Sequence, residues 1–146
     1  AFVAAGSLLG RVQFAQADTA AVAAQMKPVL NTYNLMEQFF DEPHTALLEG
    51  LETEPETGRA WRGLRNSAEA LAEASNLTLI RELEDESKRE DWTRIAIAQR
   101  DEAQKLAGLL DERDFPGAKA QFKVLVQSCN QCHDLYPDVA PQLAWE

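Results

Sequence analysis

Apolar residues return every three or four positions through most of this chain, in runs too long for strands, and that spacing restricts the fold to packed amphipathic helices. Only 7 Gly and 6 Pro interrupt 146 residues. From Asp18 onward, Val29, Tyr33, Met36 and Phe40 follow one helical stripe that His44, Leu47 and Leu51 continue past Pro43. Proline removes a helical hydrogen bond and crowds the preceding turn, so a kink or short break is expected there. Glu52 to Gly58, with Pro55, reads as a loop. A second stripe holds Trp61, Leu64, Ala68, Leu71 and Ala72 and fades between Asn76 and Ile80, and Arg81 to Lys88 is a charged connector. A third helix starts near Asp91 and carries Trp92, Ile95, Ala96, Ala103, Leu106, Ala107 and Leu110, interrupted by the polar Gln99 and ended by Asp111 to Asp114. Pro116 suits the first turn of a fourth, with Phe122, Leu125, Val126, Cys129, Cys132, His133 and Tyr136 on its buried face and a stop before Pro137. Four such helices with short connections predict an all-α, antiparallel four-helix bundle.

A hydrophobic content of 45% supports one core, and so one domain. The formal net charge of −10 argues against nucleic-acid binding and steers the protein toward basic partners. No run approaches the roughly 18 to 20 apolar residues of a membrane-spanning helix. The segment Ala1 to Gly10 is apolar, however, and Ala15-Gln16-Ala17 has the small-x-small form of a signal-peptidase site. Residues 1–17 are therefore read as a signal-like or anchoring segment and 18–146 as the bundle domain. An ordinary helical extension is the plainer alternative for the start.

The two cysteines stand in Cys129-Asn130-Gln131-Cys132, and the next residue is His133. A Cys-x-x-Cys pair serves a redox disulfide, half a zinc site or a haem anchor. Thioredoxin-like disulfides sit at a helix N-terminus in an α/β pattern, which this chain lacks, and a zinc site needs four ligands where only a distant His44 could complete the set. Cys-x-x-Cys-His is the attachment signature of haem c. Each thiol adds across one vinyl group, and the adjacent imidazole meets the iron. One covalent haem, held by Cys129, Cys132 and His133, is the expectation.

The motif lies near the C-terminus, on the last of four helices. That arrangement resembles the class II cytochromes c, the cytochrome c-prime family and its low-spin relatives, over about Val29 to Tyr136. The resemblance implies a haem between the first and last helices, thioethers at Cys129 and Cys132, His133 as proximal ligand, and often a homodimer. Low-spin members place a first-helix methionine on the other face of the haem, and Met36 is its counterpart. The family often has an arginine one turn before that methionine and another just after the haem motif. This chain has Thr32 and Asp134-Leu135-Tyr136-Pro137 instead, which leaves the propionate contacts unassigned.

Met36 is thus the expected sixth ligand, with an open distal site, His44 or Met26 as alternatives. Tyr33 and Phe40 flank Met36 and are expected either in the core or shielding the haem face, and the same holds for Tyr136. Eight residues, roughly 12 Å of helix, separate Met36 from His44, so at most one reaches the iron. With no other catalytic constellation, the expected role is a non-enzymatic carrier of single electrons between redox partners, a basic protein being one reading of the partner. A five-coordinate haem protein binding NO or CO, and a haem subunit of a larger, membrane-associated complex, are the other readings. Thioether attachment in bacteria takes place outside the cytoplasm, so the resemblance implies export to the periplasm.

Overall fold

The computed structural model describes residues 25–145. The leader expected at 1–17, and the first-helix residues expected from Asp18 to Ala24, lie outside the described residues. The helices are α1, in three consecutive pieces (Thr32–Leu35 as α-helix, Met36–Phe40 as π-helix, Asp41–Gly50 as α-helix), then α2 (Gly58–Thr78), α3 (Arg89–Asp111) and α4 (Phe115–His133). A single 3₁₀ turn, Glu86–Lys88, precedes α3, and no strand occurs among the described residues. Side chains set the helix starts. Asn31 accepts from the Asn34 amide at 2.8 Å, Thr57 from Ala60 at 3.1 Å and Asp114 from Gly117 at 3.0 Å. The α3–α4 turn is a Schellman closure, in which the Asp114 amide donates to the Leu109 carbonyl at 2.9 Å and Arg113 takes the left-handed conformation at φ 57°.

Each helix packs chiefly on its chain neighbour: α1 on α2, α2 on α3, α3 on α4. Short connections reverse the direction each time, so α1 and α4 run antiparallel. The main core joins Leu47 and Leu51 of α1, Leu64 and Leu71 of α2, Leu106 and Leu110 of α3, and Phe122 and Leu125 of α4. At Gly50, where α1 meets α2, a Cβ would run into the Leu64 side chain, so close approach requires the bare backbone there. A smaller cluster of Trp92, Ile95 and Cys132, with Leu83, Leu135 and Tyr136 against it, closes the end of the bundle where α4 finishes.

The expected stripe on α1 is corrected. Val29 is 94% exposed and precedes the helix, and Tyr33 is 64% exposed. The buried positions are Leu35, Phe40, Leu47 and Leu51. The step from Leu35 to Phe40 is five residues, which a π turn bridges, and the Asp41 amide indeed donates to the carbonyl of Met36, five positions back. Pro43 stands just beyond. It has no N–H for the Phe39 carbonyl and its ring crowds that group, and the wider turn relieves the crowding without ending the helix. The irregularity therefore lies ahead of Pro43, where a kink or break at the proline itself was expected. In α2, α3 and α4 the expected apolar faces are the buried ones, with His133 half-buried at the end, but α4 stops at His133 instead of just before Pro137, so Tyr136 lies past the helix, half-buried against Trp92. Gln99, an interruption by sequence, is itself buried at 4% exposure.

Candidate functional site

The last turns of α4 place Cys129 and Cys132 toward α3. Cys129 lies against Gln99, whose amide donates to its sulfur at 3.3 Å, and Cys132 lies in the cluster with Trp92 and Ile95. Both thiols are free. Burial pushes the Cys129 thiol up to about 12, with a further push from Cys132 and an opposing hydrogen bond from Gln99. Burial alone takes Cys132 up to about 11. Burial thus holds both as thiols rather than thiolates near neutral pH in this fold.

The His133 ring reaches the C-terminal segment. Its Nδ1 lies 2.6 Å from the Pro141 carbonyl. A carbonyl only accepts, so Nδ1 carries a proton in this contact, which in the neutral ring leaves Nε2 with the lone pair. This is the arrangement of a metal-binding histidine, whose second ring nitrogen is usually held by a carbonyl or carboxylate. The holder is itself held. Asn130 donates to the Leu143 carbonyl at 2.9 Å and accepts from its amide at 2.8 Å, while Gln142 donates to Asp134 at 3.0 Å. Trp145 then packs edge-on to Phe122, centroids 4.9 Å apart. The sequence offered no periodic signal for this segment, and Pro141 and Asn130 escaped it. Gln99 did leave a trace, as a polar residue in an apolar stripe.

On α1 the expected residues part company. Phe40 is 7% exposed and belongs to the core, whereas the Tyr33 hydroxyl donates to Glu37 at 2.7 Å on the surface. Met36 is half-buried against the core. His44 is half-buried too, its ring 5.7 Å from that of Phe122, and its Nε2 is buried without a partner. Desolvation lowers its pKa, Asp41 opposes this and His133 adds to it. Register separates the two donors along α1. His133 stands 11 residues beyond Phe122, about 16 Å along α4, and Met36 stands 8 residues before His44, about 12 Å along α1. Because the helices are antiparallel, Met36 comes nearer the level of His133 by rise along the axis, while the electrostatic effect of His133 on His44 puts His44 within its reach as well.

Two free thiols separated by two residues, next to an imidazole whose Nδ1 is committed and whose Nε2 is not, are a donor set that fits haem c. Cys129 and Cys132 would hold the porphyrin edge and His133 the iron. When bound, the group supplies a one-electron ferric/ferrous couple. At the same end, Tyr136 lies edge-on to Trp92 at 6.0 Å beneath the Lys88 ammonium, 4.3 Å from its ring. Among the described residues no three or more His, Cys, Asp or Glu side chains gather as a metal cage, and no helix is long and apolar enough to cross a membrane. No family model, no curated protein and no solved structure matches this chain.

Proposed function

We propose that the chain is a monohaem c-type cytochrome of the class II kind and carries single electrons between redox partners. The observation that carries the reading is the committed Nδ1 of His133, fixed by Pro141 beside two unpaired thiols in the Cys-x-x-Cys-His order. Met36 is the sixth ligand in this reading, supported by its level on α1 and by its soft thioether, which favours ferrous iron. An iron with both axial positions filled by protein changes little between oxidation states, which suits electron transfer. The surface, at net charge −10, suits a basic partner, and the thioethers imply export.

The test is acid–acetone extraction of the native protein, followed by its reduced optical spectrum. Haem that stays with the protein and gives sharp, split low-spin bands is the expected result. Haem that passes into the solvent removes the proposal. A retained haem with one broad high-spin band would instead make this a five-coordinate protein open to NO or CO.

A further inference from the structure

Arg81 is 5% exposed, whereas the ion-paired arginines Arg65, Arg89, Arg94 and Arg100 are half-buried or exposed and each meets a carboxylate. Its Nη1 donates to the Leu30 carbonyl at 2.8 Å, but its Nε is buried without a partner, and no carboxylate of the described residues lies within ion-pair distance. The acids next to it in the connector, Glu82, Glu84, Asp85 and Glu86, are exposed, and Glu86 is engaged by Arg89. Lys88 donates to the Leu135 carbonyl. A guanidinium that is never deprotonated is rarely buried without an anion, because nothing then replaces the water it loses.

Its position narrows the missing anion. The Arg81 amide and the Trp92 indole donate to the same carbonyl, that of Thr78, at 3.2 and 3.0 Å. Trp92 packs with Cys132, and Arg89 fixes the Arg81 carbonyl at 2.9 Å. The guanidinium is thus anchored at the end of the bundle that carries the cysteine pair. Through Leu30 it also touches the chain two residues before Thr32, where the sequence lacks an arginine for a propionate.

We propose that Arg81 pairs with a propionate carboxylate of the haem and holds it ionised. This rests on the haem reading above. It assigns to the α2–α3 connector a contact that α1 and the residues after His133 do not provide. A planar guanidinium with an uncommitted edge suits a carboxylate, and the pair would satisfy both buried charges.

The test uses holoprotein, after wild-type haem attachment has been verified by acid–acetone extraction. Spectroelectrochemical titration of wild type, Arg81→Gln and Arg81→Lys between about pH 5 and pH 8 spans the range where an unpaired, partly buried carboxylate would ionise. The wild-type potential is expected to stay nearly flat. Arg81→Gln keeps a donor for Leu30 but no charge, so its potential should fall through a one-proton step as pH rises, because the newly ionised propionate favours ferric iron. Its propionate bending band in the resonance Raman spectrum should shift as well. Arg81→Lys should restore the flat profile and still shift the band, since an ammonium lacks the fork. If Arg81→Gln does not accumulate, the Raman band of Arg81→Lys decides. A profile and band identical to wild type in Arg81→Gln, or an unmoved band in Arg81→Lys when only that variant accumulates, overturns the proposal and leaves Arg81 as a clamp on Leu30. Wild-type protein without covalent haem fails the functional reading itself, a separate result.

Discussion

Around His133 every turn of chain is tied down, by Pro141 on the imidazole, by Asn130 on Leu143 and by Asp134 on Gln142. At the same level on α1 the helix widens into a π turn, Tyr33 is on the surface and Phe39 is 45% exposed. The two sides of one site therefore differ in kind: one fixes a ligand, the other leaves a donor half-buried on an irregular turn. Such turns often mark functional positions in helices. In the proposed function, this difference would put anchoring on α4 and the choice between electron carrier and ligand binder on α1.

The strongest way to break that division is to remove the anchor. The Cys129→Ser, Cys132→Ser double variant should lose covalent haem completely, and each single variant should keep one thioether, as acid–acetone extraction will measure. Retention in the double variant would show that α4 is not the covalent side.

The second effect concerns when the anchor forms. With thiol pKa values raised from 9.0 to about 12 and about 11, the thiolate fraction at neutral pH falls about a thousandfold at Cys129 and about a hundredfold at Cys132. The folded haem-free chain should react correspondingly more slowly with iodoacetamide than the same chain in urea. In the haem reading, attachment would then precede closure of α4 on α3. The sign of the linkage follows: these acids are raised on folding, so their contribution is complete below about pH 9 and is lost as pH climbs toward 12. Urea titrations of the haem-free chain at pH 8 and pH 10 should give the lower midpoint at pH 10. Equal alkylation rates in both states would mean that the thiols are accessible in the fold.

Third, Met36→Ala should turn a low-spin spectrum high-spin, open the iron to CO and favour ferric iron by at least about one decade, ~59 mV for one electron. An unchanged spectrum would move the ligand to His44, whose unpartnered Nε2 is the next available donor on α1. Binding of CO by the wild type would leave the distal side open.

The same contrast explains what could be read from sequence. Along α2, α3 and α4, period 3.6 holds, and Trp61, Leu64, Trp92, Ile95, Phe122 and Leu125 were assigned to the core from spacing alone. On α1 the wide turn puts Leu35 in the buried set in place of Tyr33 and Met36, while Phe40, Leu47 and Leu51 are buried as the spacing has them, and a template of fixed period cannot follow that switch. The proposed anchor, Cys129, Cys132 and His133, could be named from sequence because its chemistry is local. Its supports could not, since Gln99, Arg81 and Pro141 reach it from other segments.

Smaller effects come from the polar ties. Asn130→Ala removes two hydrogen bonds to Leu143 and should cost about 1–3 kcal/mol in urea unfolding of the holoprotein. The exposed Gln38 on the π turn should tolerate alanine within about 0.5 kcal/mol. Equal losses at both positions would erase the distinction between a tied proximal side and a loose distal one.

The smallest effect asks what maintains the π turn. Pro43→Ala supplies an N–H for the Phe39 carbonyl and removes the ring that crowds it, so an ordinary turn becomes possible, worth about 1 kcal/mol in one hydrogen bond. Against it stand Leu35 and Leu47, both 0% exposed, on either side of the widened turn. Closing the turn by one residue would rotate one of them about 100° off the core, forfeiting roughly 1.5–3 kcal/mol of side-chain burial. Burial wins by this comparison. The variant should therefore keep the π turn, change stability by less than about 1 kcal/mol, because lost proline rigidity offsets part of any gain, and leave the spectrum of the reduced haem as it was. A crystal structure of the variant shows directly whether the Asp41 amide still donates to the Met36 carbonyl. If that bond shifts to Glu37 and the spectrum changes with it, proline rather than packing presents Met36 to the iron.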